Sequence, residues 1–102
     1  MIRLIVRPAA EADILDAQTW YSKHDGALAD EFVDELRATL VRIRQIPRQF
    51  PDVGGVRRAL LHRFSYSVYF LLPDDEHAIV VAILHQSREP VAWKKRVRLE
   101  GT

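Results

Sequence analysis

Histidine and arginine are the residues of this chain best suited to catalysis. Cleavage of RNA by its own 2′-hydroxyl needs a general base, a general acid and cations that stabilise the charged phosphorane, and histidine with arginine supplies these roles. Suitable residues are concentrated in the second half of the sequence, where they are His62, His85, Arg57, Arg58, Arg63 and Arg88. The residue types therefore permit a small ribonuclease site.

A structural role competes with each catalytic role. A histidine at the point where a buried strand meets solvent, as we expect for His85, is more often a hydrogen-bonded structural residue than a base. The four histidines are scattered without a pair at ligand spacing, which argues against a metal site. Gly54-Gly55 lacks the lysine and helix that follow a phosphate-binding loop. We therefore predict no metal and no cofactor.

The end of the chain predicts a cationic surface. Five uninterrupted aliphatic residues at 80–84 indicate a central strand covered on both faces. Pro90 suits the first position of a helix, and Trp93 and Val97 follow at i+3 and i+7 on one stripe. We expect this short C-terminal helix to fold back onto the sheet and gather positive charge at one edge. The predicted target-binding residues there are Arg88, Lys94, Lys95, Arg96 and Arg98.

Charge is distributed unevenly although the net charge is only +1. The segment from Glu11 to Glu35 contains eight acidic residues, and Lys23 is its only fixed positive charge. From His85 to Arg98 the balance reverses, because five basic residues accompany a single acid. The basic edge favours an anionic partner, either a nucleic acid or an acidic protein segment, although a solvated helix face explains such a run equally well.

Length and composition limit the remaining possibilities. A chain of 102 residues predicts one domain, residues 1–102, with a core too small for a large internal cavity. The hydrophobic fraction of 48% argues against disorder, and no apolar run is long enough to span a bilayer. Cysteine is absent, so disulfides and thiolate metal sites are excluded. The N-terminal segment MIRLIVRP lacks the apolar core of a signal peptide, and we expect a cytoplasmic protein without membrane contact.

Hydrophobic periodicity predicts an α+β fold in the order β-α-α-β-β-β, followed by the short helix. The helices form a hairpin that covers one face of an antiparallel sheet, and the opening strand joins the same sheet. In so small a domain we expect most aromatic residues, Trp20 among them, to lie in the core. The predicted strands are Ile2–Arg7, Val56–His62, Tyr66–Leu72 and Ala78–His85, and the predicted helices are Ala9–Lys23 and about Leu28–Ile46.

Two segments carry a family resemblance. VRRALLHRFSYSVYF at residues 56–70 and VVAILHQSREP at residues 80–90, followed by Trp93 and Arg96, resemble the ParE/RelE-type toxins of type II toxin–antitoxin systems, which include plasmid stabilisation proteins. The likeness covers nearly the whole chain and is closer to the ParE branch. It implies neutralisation by a cognate antitoxin and a toxic action through binding and poisoning of DNA gyrase.

The RelE branch, which cleaves mRNA on the ribosome, offers the main alternative. Its members place an arginine on the second strand of the antiparallel meander, where this sequence has Ser67, and a tyrosine or similar group after the last strand, whereas no tyrosine follows Tyr69 here. A third possibility keeps only the fold, as a non-toxic partner-binding protein. If the chain is a nuclease, the predicted catalytic residues are His85, Arg88, Arg58 and Arg63.

Overall fold

A computed structural model describes residues 1–87 and residue 96 of the chain. The architecture is α+β, as predicted, with two helices and a mixed five-stranded sheet of order β1-β5-β4-β3-β2. The strands are β1 (Arg3–Val6), β2 (Asp52–Val53), β3 (Val56–Leu60), β4 (Tyr66–Leu71) and β5 (His77–His85), and the helices are α1 (Pro8–His24) and α2 (Gly26–Gln45). The predicted C-terminal helix lies outside the described residues, apart from Arg96.

A single residue joins the two helices. Asp25 ends α1, where its backbone N–H donates to the Tyr21 carbonyl at 2.8 Å, and it also caps α2 by accepting from the Ala27 N–H at 3.0 Å. Its φ of −167° is extended, so the chain reverses direction between the helices without a loop. The prediction of a helical hairpin is confirmed, and the break at 25–26 is tighter than we expected.

The core lies between the hairpin and one face of the sheet, which we call the helix face. Helix α2 contributes a buried stripe with spacings of three and four residues. The helix face of the sheet meets it with Ala59, Val68, Phe70, Val80 and Ile83. A second buried cluster occupies the opposite face, which we call the far face, and consists of Val56, Tyr69, Val81, Ala82 and Leu84.

Strand β5 runs through the interior of the sheet and is buried on both faces, as the aliphatic run predicted. It pairs antiparallel with β4 but in parallel with β1, so the sheet is mixed where we expected it to be antiparallel. A β-bulge interrupts the second ladder, because Tyr69 faces Ala82 and the next residue, Phe70, faces Val80. Val81 is therefore the extra residue, and the inside–outside alternation of β5 changes phase at this point.

The bulge leaves backbone polar groups at the edge of β5 that need hydrogen-bond partners. Strand β1 is shorter than β5, and its last bond runs from the Arg7 N–H to the Val80 carbonyl at 3.0 Å. Beyond it, the Ile83 N–H donates to Asp13 Oδ2 at 2.9 Å, and the Val81 carbonyl accepts from Arg96 Nη1 at 3.1 Å. Side chains therefore replace the missing strand partner.

The same two side chains form an ion pair. Arg96 Nη1 lies 2.9 Å from Asp13 Oδ2, and the Asp13 and Arg96 side chains are only 12% and 23% exposed. Because water screens such a pair weakly, removing one partner leaves a poorly solvated charge. Asp13 thus anchors α1 to the bulged part of β5.

The loop between α2 and β3 is more ordered than predicted. It contains a 3₁₀ turn at Pro47–Gln49 and the two-residue strand β2. Gly54 and Gly55 connect β2 to β3 with φ angles of 65° and 91°, the positive values that a two-residue hairpin turn requires. Phe50 packs against the core, with its ring edge-on to Phe70 at a centroid distance of 5.8 Å.

Two further sequence expectations are wrong. Strand β3 ends at Leu60 rather than His62, because the Glu35 carboxylate of α2 accepts hydrogen bonds from the His62 and Arg63 N–H groups and removes them from the sheet. Trp20 is 53% exposed rather than buried, because it lies beside the apolar stripe of α1 instead of on it. No helix within residues 1–87 is long and apolar enough to cross a membrane.

Asp13→Asn should lower the free energy of unfolding by about 3 kcal/mol, because it removes the negative charge that pairs with Arg96 and weakens the acceptor for Ile83. Urea denaturation followed by circular dichroism measures the change. Asp16→Asn, on the same helix, is the control and should shift stability by less than about 0.5 kcal/mol. Equal stability of Asp13→Asn and the wild type would contradict an anchoring role.

The hydrogen bonds of Asp74 should make the turn between β4 and β5 sensitive to acid. The hydrogen bond from the His77 side chain, followed by that from the Glu76 N–H, lowers the pKa of the Asp74 carboxyl. A depressed folded-state pKa contributes stability above the unfolded pKa of about 4, and this contribution is lost as pH falls through the folded-state value. Thermal unfolding between pH 6 and pH 2 should therefore show a shallower acid decline for Asp74→Asn than for the wild type. Asp34→Asn serves as the control and should retain the wild-type slope.

Candidate functional site

The sheet separates two of the residues predicted for a nuclease site. His85 pairs with Tyr66 on the helix face, where both lie beside α1. Arg58 pairs with Tyr69, whose side chain belongs to the far face. Because side chains alternate along a strand, the imidazole and this guanidinium lie on opposite faces. Arg88 lies outside the described residues.

Arg63 and His62 belong to a loop attached to α2. Arg63 Nη2 forms an ion pair with Glu31 Oε2 at 2.9 Å, and the Arg63 N–H donates to Glu35 Oε1 at 3.0 Å. The His62 N–H donates to the same Glu35 carboxylate, and the His62 side chain is exposed. These contacts direct the cation of Arg63 toward the helical hairpin.

Arg57 and Arg58 lie on opposite faces of the sheet, because side chains alternate along a strand. Arg57 Nη1 donates to the Phe50 carbonyl at 2.7 Å and to the Arg48 carbonyl at 3.1 Å, and these bonds hold the loop after α2. Arg58 is exposed. Arg57 therefore has a structural role, and Arg58 is the member of the pair that is free to meet a partner through its exposed surface.

His85 makes local hydrogen bonds at the end of β5. The Ser87 N–H donates to His85 Nδ1 at 3.1 Å, and Ser87 Oγ lies 2.7 Å from the same nitrogen. Since Nδ1 accepts from the backbone, the neutral ring carries its hydrogen on Nε2. The imidazole also contacts Tyr66 edge-on at a centroid distance of 5.3 Å.

A groove of about 420 Å³ opens beside His85, between α1 and the end of β5. We call it the α1–β5 groove. Its aromatic floor includes Tyr21 and Tyr66, and burial, with a smaller contribution from Tyr66, raises the pKa of Tyr21. Asp16 and Trp20 of α1 line its rim. Sequence analysis missed this site, although residues 13, 16 and 20 follow the i, i+3, i+7 spacing of one helix face beside the core stripe.

The predicted target-binding residues are described only at Arg96. Its guanidinium contacts Asp13 and the Val81 carbonyl, so it contributes to the anchoring of α1. Arg88, Lys94, Lys95 and Arg98 lie outside the described residues, and their role stays a prediction. Within residues 1–87 and Arg96, no group of three or more histidine or acidic residues is arranged to hold a metal ion.

Ser67 occupies the strand position at which the RelE branch is expected to carry an arginine. It is 1% exposed and lies opposite Leu84 and Leu60. Its hydroxyl has no hydrogen-bond partner within the described part of the chain. A guanidinium at this position would therefore be buried against apolar neighbours.

Comparisons with known proteins agree with this architecture. A family model described as the ParE toxin of the type II toxin–antitoxin system parDE matches residues 4–90. A solved chain from the chromosomal ParDE toxin–antitoxin system of P. aeruginosa superposes with a TM-score of 0.72 and 22% identity, covering 83% of this chain and 96% of that one. This structural likeness shows a shared fold. No curated protein matches the sequence significantly.

The family match and the α+β fold define the toxin component of a type II toxin–antitoxin system. The chain belongs to the ParE toxin family.

Ser67→Ala should raise the free energy of unfolding by about 1 kcal/mol, because it removes a buried hydroxyl that lacks a partner among the described residues. Ser67→Arg should lower it by about 4 kcal/mol, because a charge would enter an apolar layer. Urea denaturation measures both changes, with the exposed Ser65→Ala as a control that should stay near the wild type. A stable Ser67→Arg variant would show that position 67 accommodates a guanidinium.

Proposed function

We propose that this ParE-family chain poisons DNA gyrase by binding it and is neutralised by a cognate antitoxin. The match of the family model over residues 4–90 is the observation that carries this proposal. The polarised charge of the chain is compatible with this proposal. The acidic front, formed by residues 11–35, and the basic end of the chain offer different surfaces to different partners.

The arrangement of the described residues supports binding rather than bond cleavage. General acid–base catalysis needs its groups within hydrogen-bond reach of one substrate, and His85 and Arg58 lie on opposite sheet faces. Arg63 is paired with Glu31. Ribosome-dependent mRNA cleavage by His85, Arg88, Arg58 and Arg63 therefore gains no support from the residues that are described.

In this proposal the cations near the end of the chain contact the target. Arg88, Lys94, Lys95 and Arg98 supply positive charge that suits an acidic protein surface or DNA held by gyrase. Arg96 acts indirectly, through its bond to Asp13. These assignments rest on the sequence.

Growth inhibition on regulated expression in a bacterium tests the proposal directly. We expect inhibition from this chain alone, relief when the adjacent open reading frame is expressed with it, and inhibited supercoiling by gyrase in the presence of purified protein. Lys94→Glu with Lys95→Glu should weaken supercoiling inhibition roughly tenfold or more, through loss and reversal of two charges. Arg37→Glu with Arg3→Glu, which reverses two exposed charges on α2 and β1, is the matched control.

A second pair of variants separates binding from catalysis. His85→Ala with Arg58→Ala should retain supercoiling inhibition. Primer extension on translated mRNA should show no cleavage by either protein. Cleavage that disappears in the double variant would overturn the proposal in favour of a nuclease, and absence of any growth phenotype would favour a non-toxic binding protein.

A further inference from the structure

The α1–β5 groove places two unlike groups side by side on α1. Asp16 and Trp20 are separated by four residues, so their side chains neighbour each other on the helix surface. Both line the groove, whose floor carries Tyr21, Tyr66 and His85. A negative charge therefore stands next to an exposed aromatic ring above an aromatic floor.

Asp16 is an available charge, in contrast to Asp13 one turn earlier. Asp13 is occupied by Arg96 and by the Ile83 N–H. Asp16 is exposed and has no hydrogen-bond or ion-pair partner among residues 1–87 and Arg96. The groove therefore retains one carboxylate that can accept hydrogen bonds from outside the chain.

Trp20 is held in place although it is half exposed. Its ring stacks on His24 at a centroid distance of 4.0 Å and an interplanar angle of 24°, and Tyr21 meets it edge-on at 5.1 Å. His24 Nδ1 is in turn hydrogen-bonded to the Trp20 carbonyl at 2.8 Å. This bracing restricts the indole before any partner arrives, which lowers the entropy lost on binding.

We propose that the α1–β5 groove is a receptor for an arginine side chain of the antitoxin, with its guanidinium bound to Asp16 and stacked against Trp20. The proposal rests on the proposed function only in naming the antitoxin as the source of the arginine. A planar guanidinium satisfies both groups at once, because it bonds a carboxylate through a fork of N–H donors and stacks on an aromatic face.

The chemistry of the groove distinguishes arginine from other occupants. Nucleic acid would also stack on the indole, but its phosphates would meet Asp16 on a helical front that carries eight acidic residues between Glu11 and Glu35. A purely apolar side chain would bury the Asp16 carboxylate without a partner. The acidic front instead favours approach of a cationic segment.

Affinity for the protein encoded by the adjacent open reading frame, measured by isothermal titration calorimetry, tests the proposal. Asp16→Asn should raise the Kd roughly tenfold to a hundredfold through loss of a charged hydrogen-bond acceptor. Trp20→Leu should raise it roughly threefold to thirtyfold through loss of the stacked cation. Asp30→Asn and Leu15→Ala are the matched controls, because they alter an exposed acid and an exposed apolar residue outside the groove, and each should bind like the wild type.

A small probe tests the groove independently of the antitoxin. N-acetyl-arginine amide should shift the Trp20 indole and Asp16 amide resonances in a saturable manner at millimolar concentration, whereas N-acetyl-citrulline amide, which is similar in shape but uncharged, should not. The Asp16→Asn variant should lose the response to the arginine probe.

The two measurements separate the possible failures. A complex that forms with unchanged Kd in both groove variants would overturn the arginine receptor and leave the toxin proposal standing. If no complex forms, the proposal of antitoxin binding is wrong, and the small probe then tests the groove alone. A response to the arginine probe but not to the citrulline probe supports an arginine-binding groove. Equal responses, or no response to either probe, would overturn it.

Discussion

The bond between Asp13 and the part of the β5 edge that β1 does not cover sets the geometry on which the rest of the molecule depends. The bulge at Val81 turns the Ile83 N–H and the Val81 carbonyl toward an edge that β1 is too short to cover. An unsatisfied backbone group in a buried strand is costly, so the side chains of Asp13 and Arg96 are required there. The position of α1 follows, and with it the placement of Asp16 and Trp20 above the end of β5.

The two faces of the sheet form separate apolar clusters because β5 is buried on both of them. The helix face forms the main core with the hairpin, and it ends in the α1–β5 groove. The far face carries an independent apolar cluster that includes Val81 and Leu84. Residues that are neighbours in the sequence therefore reach different environments, and a reactive centre assembled across the sheet is not available to His85 and Arg58. Recognition through surfaces is the mode of action that we propose.

Much of the fold could be predicted because local patterns of apolar residues determine it. The aliphatic run at 80–84 indicated an interior strand, and the spacing of apolar residues indicated both helices. The Gly54-Gly55 pair also contained a hairpin signal, yet a two-residue strand is too short to show alternation. The end of β3 could not be predicted, because Glu35, which is 27 and 28 residues away in the sequence, competes for the His62 and Arg63 N–H groups.

The candidate site was less predictable than the fold for the same reason. Trp20 looked like a core residue by type, and only packing shows that it lies beside the buried stripe. Arg96 looked like one member of a basic run. Its position against Asp13 depends on a bulge that cannot be recognised from the local sequence pattern. Composition identified the acidic helices, but not which carboxylates are already used within the chain.

The absence of a loop at Asp25 limits how the front of the molecule responds to contact. One residue serves as the end of one helix and the start of the next, with its backbone and side chain both engaged. Hinges need residues whose dihedral angles can change, and the hydrogen bonds of Asp25 oppose such a change at this residue. A partner that binds the hairpin as we propose would therefore meet a rigid surface, and the entropy cost of ordering would fall on that partner.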